Sequence, residues 1–137
     1  MLVLTFQIGP NRLALDIRRV REVVPRVELT RTAGGPSWLA GSFVCRGRVV
    51  PVVDMHRLLG AGECPPHLSS RIILVPMGDG LMGLLAAQVA DIKEIAAPVG
   101  GGHSELGQAV VDDGAVLHLL DLARLLPDGV PLLRAPA

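Results

Sequence analysis

Four histidines, two cysteines and a scatter of hydroxyls and carboxylates are the side chains of this sequence that could do chemistry. Metal binding would require His, Cys, Asp or Glu at ligand spacing. His56, His67, His103 and His118 have no such neighbour, and Cys45 and Cys64 form no CxxC pair. Each histidine reads as a surface or internally satisfied side chain. The cysteines read as buried or part-exposed thiols of a reducing compartment, with a disulfide left open. Ser42, Ser69, Ser70 and Ser104 lack the Gly-x-Ser-x-Gly setting that exposes a nucleophilic serine. Gly100-Gly101-Gly102 has neither the Lys-Ser/Thr of a P-loop nor the strand-to-helix setting of a dinucleotide site, and reads as a surface loop. Asp112-Asp113-Gly114 reads as a hairpin turn, because the other ligands of a calcium loop are missing. Asp54 and Asp121 are formally a pair of carboxylates, but each stands just before a short helical pattern, where an Asp side chain caps orphan N–H groups. They are read as structural caps. No catalytic, metal or cofactor site can be assembled, so the chain reads as a non-enzyme.

The bulk of the sequence narrows the rest. Of 137 residues, 50% are hydrophobic and 19% charged, which describes a folded chain. Uninterrupted apolar runs are short, such as Leu84–Ala87, whereas a membrane helix needs about 20 residues. The Met1–Phe6 start has no basic flank and reads poorly as a signal peptide. Lys plus Arg balance Asp plus Glu at 13 each. Arg18, Arg19, Arg21, Arg26 and Arg31 gather, but Asp16, Glu22 and Glu28 lie among them. With Phe6, Phe43 and Trp38 as the aromatics, neither a phosphate-binding stripe nor a base-stacking platform is present, so no nucleic-acid partner is expected.

The elements that position these residues are written twice. Val49–Leu59 lies over Val116–Leu126 with Val, Asp, Arg, Leu and Leu coinciding. Leu4–Gly9 lies over Ile73–Gly78, and without a gap Leu15 falls on Leu84 and Val20 on Val89. Each copy opens with a hairpin: Leu2–Ile8 with Arg12–Ile17, and Arg71–Met77 with Leu81–Ala87. An extended stretch follows, Val20–Val27 or Val89–Ile95. A second hairpin comes next, Leu39–Cys45 with Val49–Val53, or Leu106–Val111 with Ala115–Leu120. Gly and Asn in the turns supply the positive φ that tight hairpins need. A short helix then runs to Gly60 or Pro127. The pattern predicts a mostly β fold of roughly ten short strands arranged as two small five-stranded barrels. The expected layout is one domain over 1–137. Its first subdomain covers about 12–60 and its second about 71–126, with terminal strands open to exchange. Residues 61–70 connect them, and 127–137 form a loose tail. So apolar a chain in small lobes is expected to expose apolar patches and strand edges, both of which dock partners.

The segment Trp38–Gly60 resembles the signature of the CheW-type chemotaxis adaptor family: Gly41, then Arg46-Gly47, then Pro51-Val52-Val53-Asp54, then Leu58-Leu59-Gly60. Leu13–Val23, with its Val20-Arg21-Glu22, resembles the family's first-lobe strand. Gly83-Leu84-Leu85 with Val89, and Leu119-Leu120-Asp121-Leu122 with Leu125-Leu126, resemble its second-lobe signatures. The resemblance covers about residues 2–126. It implies two SH3-like β-barrel subdomains and an adaptor without cofactor. Such an adaptor joins the cytoplasmic tips of chemoreceptors (methyl-accepting chemotaxis proteins) to the regulatory domain of a CheA-type histidine kinase. It is cytoplasmic, recruited to membrane-associated receptor arrays without inserting into the membrane. It also implies a receptor-binding set at Ile17, Val20, Glu22, Gly41 and Arg46. Ile17 and Val20 would offer an apolar surface to a receptor helix, and Arg46 would pair with Glu22 or with a receptor acid. The alternative places Ile17 and Val20 in the core and has Arg46 order a turn. The family commonly has Asn where Val44 stands and an acid where Ala87 stands, and the loop at 98–105 is short. These departures keep a second function open, a divergent protein that binds receptors but couples poorly to kinase. A small-ligand-binding β-barrel is a more distant one.

Overall fold

The computed structural model describes residues 1–31, 33–98 and 106–130. The glycines at 100–102, His103, Ser104 and most of the short 98–105 loop therefore lie outside the described residues, as does the tail beyond 130.

Among the described residues there are ten strands and two short helices. In the first half these are β1 (Leu2–Ile8), β2 (Asn11–Asp16), a 3-10 turn at Ile17–Arg19, β3 (Glu22–Pro25), β4 (Leu39–Cys45), β5 (Arg48–Asp54) and α1 (Met55–Leu58). In the second half they are β6 (Arg71–Met77), β7 (Gly80–Ala86), β8 (Val89–Glu94), β9 (Gly107–Asp112), β10 (Ala115–Leu120) and α2 (Leu122–Leu125). The strand expected over Arg12–Ile17 stops at Asp16, because the Asp16 carboxylate accepts the Arg18 N–H at 3.0 Å and turns the backbone into the 3-10 turn. The hairpin turns repeat between halves. Gly9-Pro10 and Gly78-Asp79 have positive φ at the first residue only, whereas Arg46-Gly47 and Asp113-Gly114 have it at both, as type I′ turns require. The last hairpins are thus joined by two residues, and Arg48 and Asp112 belong to the strands.

The strands form two five-stranded sheets, ordered β3-β6-β7-β5-β4 (first lobe) and β8-β1-β2-β10-β9 (second lobe). Each lobe therefore takes its opening hairpin from one half of the chain and its other three strands from the other half. The exchange is reciprocal down to the register. Parallel β5–β7 pairs Val52 with Gly83, and parallel β10–β2 pairs Leu119 with Ala14, matching positions of the repeat. Antiparallel β3–β6 pairs Val23 with Ile73, and β8–β1 pairs Ile92 with Leu4, again matching.

Alternate residues of the exchanged hairpins are buried on opposite sides. Leu4, Phe6, Leu13, Leu15, Ile73, Val75, Met82 and Leu84 join Val53 and Met55 in a core shared by both lobes. Ile72, Leu74, Val50, Val52 and Leu85 fill the first lobe, and Val3, Ala14 and Leu117 fill the second. Burial on both faces is why these strands read as continuous apolar runs rather than as an alternation.

Neither lobe is a complete sheet without the other half of the chain, so both should unfold in one transition. Trp38 is the one tryptophan and packs against the shared core. In a urea titration its fluorescence and the far-ultraviolet circular dichroism are expected to give coincident midpoints, and two separated midpoints would contradict the shared core.

Candidate functional site

Of the five residues that the resemblance implies, Ile17, Val20 and Glu22 lie where the chain passes between the lobes, Arg46 reaches Glu22, and Gly41 lies apart on β4. The 3-10 turn and the residue after it carry the chain from β2 of the second lobe to β3 of the first. Ile17 and Val20 are half-buried here and pack on the margin of the shared core. The Val20 N–H closes the turn on the Ile17 carbonyl at 3.1 Å. Two residues on, Glu22 opens β3, and its Oε1 accepts from Arg46 Nη2 at 2.6 Å. Arg46 sits in the β4–β5 turn with φ of 50°, so its side chain leaves the tip of that hairpin toward β3. Since β3 and β4 are opposite edges of the sheet, this ion pair spans the opening of the first barrel. It is solvent-accessible, with Arg46 at 69% and Glu22 at 34% side-chain exposure, so water screens it and its direct part in stability is small. The Glu22 contact raises the Arg46 guanidinium's pKa further, so it stays a cation that can be shared with an incoming acid.

Gly41 is buried farther up β4. There the segment after β3 crosses, and Thr30 and Ser42 exchange backbone hydrogen bonds at 2.8 and 2.9 Å. A Cβ on Gly41 would stand 2.5 Å from the Thr30 carbonyl oxygen, and its φ of +144° disfavours a side chain. Close backbone approach is thus a property of the fold at this position. It does not by itself reach toward a partner.

The second lobe carries a matching closure with reversed charge. Lys93 Nζ on β8 reaches Asp112 Oδ2 and Asp113 Oδ2 at the β9–β10 turn, both at 2.6 Å, and Arg12 adds a contact to Asp112 at 3.3 Å. Lys93 holds the Asp112 carboxyl below the usual carboxylate range. Asp112-Asp113-Gly114, a turn by its sequence, also anchors this latch. The turn position carries Arg46 in one copy and Asp113 in the other, but Lys93 falls on Val24 rather than on Glu22, so the overlay of the two halves does not show the pairing.

The two caps are unequal. Asp54 is buried and accepts from His56 N (2.9 Å), Arg57 N (3.3 Å) and Cys64 N (2.9 Å), which ties α1 to the connector. Asp121 is exposed and accepts from Arg124 N at 3.3 Å. Arg26 holds the connector from the other side, donating to the carbonyls of Pro65 (2.9 Å) and Cys64 (3.3 Å). His56 is buried, with Nε2 accepting the Ala87 N–H at 3.1 Å. Burial lowers its pKa, with Arg26 adding to the shift and Asp54 opposing it. Burial likewise pushes the Cys64 thiol up to about 11, so it is a protonated packing group rather than a nucleophile. Both cysteines are free. His67 Nδ1 lies 2.7 Å from Ser69 Oγ on the surface. Among the described residues no cluster of three or more His, Cys, Asp or Glu could hold a metal ion, and no helix is long and apolar enough to cross a membrane.

Apolar exposure is also duplicated. Val44 and Val49 form a cross-strand pair on the last hairpin of the first lobe, 69% and 62% exposed. Val111 and Val116 are the matching pair on the second, 79% and 54% exposed. Val23 and Ile92, matching positions of β3 and β8, are exposed as well.

Comparison with known proteins accords with this geometry. The family described as the CheW-like domain matches residues 2–129. The chain is 28% identical over 93 residues to the chemotaxis protein CheW of Rhizobium meliloti (strain 1021), an alignment covering 68% of this chain and 60% of that protein. It is 29% identical over 125 residues to the protein FrzA of Myxococcus xanthus, covering 87% and 71%. The chain thus spans less than two thirds of the rhizobial relative's length. The crystal structure of the scaffolding protein TtCheW from Thermoanaerobacter tengcongensis has the same fold, with a TM-score of 0.79 at 24% identity over 91% of this chain and 86% of that one.

Two outcomes follow from the site. Gly41→Ala should cost about 2–3 kcal/mol through the Thr30 clash and the positive φ, read as a lowered urea midpoint. His56 favours its neutral form in the fold. Its contribution is therefore fully present above about pH 6.5 and is lost as pH falls from there toward the lowered folded value. His56→Gln retains an acceptor for the Ala87 N–H. It should flatten the fall in urea midpoint between pH 7.5 and 5.5, and an unchanged fall would show that other groups titrate there.

Proposed function

The chain belongs to the CheW-like family, and on that premise we propose that it is a chemotaxis-type adaptor coupling chemoreceptor cytoplasmic tips to the regulatory domain of a CheA-type histidine kinase. It does so by protein–protein binding alone, in the cytoplasm, recruited to membrane-associated receptor arrays. The observation that carries this reading is the placement of the Glu22–Arg46 pair beside half-buried Ile17 and Val20. An apolar margin flanked by a charged pair suits the side of a receptor helix, which buries aliphatic side chains and can offer a carboxylate to the Arg46 fork. Ile17 and Val20 then serve two surfaces at once, packing inward on the shared core and offering their exposed halves to the receptor.

The kinase domain needs a second surface, and the exposed valine pairs on the two last hairpins are suited to it. Val44 also supports the narrower reading, a receptor-binding protein that couples poorly to kinase. It places an exposed valine where the family commonly has Asn. Ala87, the other departure, is buried. The interiors of both barrels are filled by side chains, which weighs against a small-ligand-binding barrel.

Calorimetric titration of the chain against a receptor cytoplasmic hairpin and against a CheA regulatory domain tests the proposal. Both are expected to bind. Arg46→Asp and Val20→Lys should each weaken receptor binding at least tenfold with an unchanged circular dichroism spectrum. Val44→Glu and Val111→Glu should weaken kinase-domain binding and leave receptor binding intact. Receptor binding without kinase binding would select the narrower reading, and binding to neither would end the adaptor assignment.

A further inference from the structure

The connector between the halves of the chain closes over the end of the first lobe, and charged side chains hold it from two sides. Asp54, at the end of β5, accepts the Cys64 N–H at 2.9 Å. Arg26, on the segment after β3, donates to the carbonyls of Cys64 (3.3 Å) and Pro65 (2.9 Å). Between these two grips the Cys64 side chain is buried against the interior of the first lobe. Farther along, the Ser69 carbonyl accepts the Val89 N–H at 3.2 Å and joins the connector to the end of β7. His56 of α1 stands between these contacts. Its carbonyl accepts the Ala61 N–H of the connector at 2.7 Å, and its ring Nε2 accepts the Ala87 N–H at 3.1 Å. A ring nitrogen can accept only while the imidazole is neutral, with its one proton on Nδ1.

His56 is 5% exposed. Asp54 acts on it from β5 and Arg26 from the segment after β3. Glu63, on the connector, shares with it the wall of a surface cleft of about 410 Å³, through which protons reach the ring. Arg57, the next residue, is turned toward Asp54 and Glu63. The end of β7 and the β1–β2 hairpin bring only uncharged groups to this wall, Ala87 and Gln88 from one and Gln7 and Gly9 from the other. A second ring proton changes three contacts together. Nε2 becomes a donor and confronts the Ala87 N–H, leaving that N–H without an acceptor. A new cation stands beside Arg26, and a new partner competes with the Cys64 N–H for the Asp54 carboxylate. Both grips on Cys64 are thus weakened by one proton. Burial, helped by Arg26, disfavours that proton in the closed arrangement, and Asp54 opposes the effect. The matching position of the second copy is Ala123, so an imidazole at this place belongs to the first lobe alone.

We propose that His56 is a proton-operated latch: on taking up a proton it lets the connector around Cys64 lift from the end of the first lobe while both sheets stay folded. The latch is independent of the adaptor reading, since it uses none of the receptor-binding set. Lifting releases the ring to water, where a histidine titrates near pH 6.5. The latch is therefore fully closed above about pH 6.5, and opening grows as pH falls from there toward the lowered closed-state value. Between pH 7.5 and 5.5 this linkage permits a rise of about tenfold at most.

Amide hydrogen exchange of the full chain, read by 15N NMR and corrected for the intrinsic effect of pH, tests the latch. The Cys64 amide is the reporter, because its hydrogen bond goes to Asp54 and not to His56. Its opening is expected to rise roughly threefold to tenfold from pH 7.5 to 5.5. At pH 5.5 it should exceed global unfolding, read from the slowest strand amides, by about tenfold or more. His56→Gln keeps an acceptor for the Ala87 N–H and should make the Cys64 opening independent of pH. His67→Asn, at the connector's own histidine, should leave the pH dependence in place. Ring 15N shifts of the parent chain at pH 7.5 need no variant, and they should show His56 neutral with its proton on Nδ1. A Cys64 opening that stays flat with pH, that still varies in His56→Gln, that loses its variation in His67→Asn, or that merely equals global unfolding would each overturn the proposal. A ring carrying its proton on Nε2 at pH 7.5 would overturn it as well.

Discussion

The parallel pairing of β5 with β7 and of β10 with β2 is the contact on which the rest of this structure depends. Parallel neighbours cannot be joined by a tight turn. In most folds such a pair is made by a crossover within one unit. Here it is made by exchanging hairpins between two copies, with Val52 on Gly83 and Leu119 on Ala14. The exchange places each central hairpin between the interior of its own barrel and a core common to both. That position demands apolar side chains on both faces, which Ile72, Ile73, Leu74 and Val75 meet without a break. It also demands a strand with no bulk where the side chains of its own neighbours β6 and β5 crowd it inside the barrel. Gly83 answers that need, since a Cβ there would stand 2.7 Å from Ile72 Cγ2 and 3.1 Å from Val52 Cγ2.

A fold joined this way is well suited to holding two partners in register. Motion of one lobe relative to the other would have to shear a shared, close-packed core, and packed cores resist graded deformation. The adaptable parts are therefore confined to the barrel openings, where the closures are ionic and wet. Glu22–Arg46 and Lys93–Asp112/Asp113 are polar, with Arg46 and Asp113 exposed, and opposite in sense, acid on the strand in one lobe and base on the strand in the other. Such contacts exchange readily with outside charges because water already competes for them. A partner arriving at the Arg46 tip thus finds a guanidinium it can share without disturbing the core that connects that tip to the far lobe.

Much of this was legible in the residues. The duplication could be read from Asp-x-x-Arg-Leu-Leu recurring at Asp54 and Asp121, and the turns from Gly9, Gly47, Gly78, Asp113 and Gly114, all of which have positive φ. The number of strands and the division into two five-stranded sheets followed from those two signals. Burial of His56 was not legible, because a histidine on a short helix carries no mark of which way it faces. What buries it is the connector, folding back from Asp54 to Cys64 and Arg26 through contacts remote in sequence. The Gly41 crossing was hidden for the same reason, since it depends on Thr30 meeting Ser42 from outside the strand. The boundary at Asp16 was local in cause, yet strand and 3-10 turn compete there on one side-chain hydrogen bond.

The two caps show how the copies have parted while the backbone plan stayed fixed. Asp54 and Asp121 end matching strands and start matching helices, and each takes a backbone N–H of its helix. A buried carboxylate is costly unless its lone pairs are occupied, and Asp54 has three N–H donors and stays buried. Asp121 has one and is left in solvent, where water meets the remainder. The number of donors and the depth of the site thus change together. Between the copies the acid has moved toward water, and the imidazole of His56 beside it has become the methyl of Ala123. A duplicated fold can in this way keep one backbone plan while the matching polar group is held by protein N–H groups in one lobe and largely by water in the other.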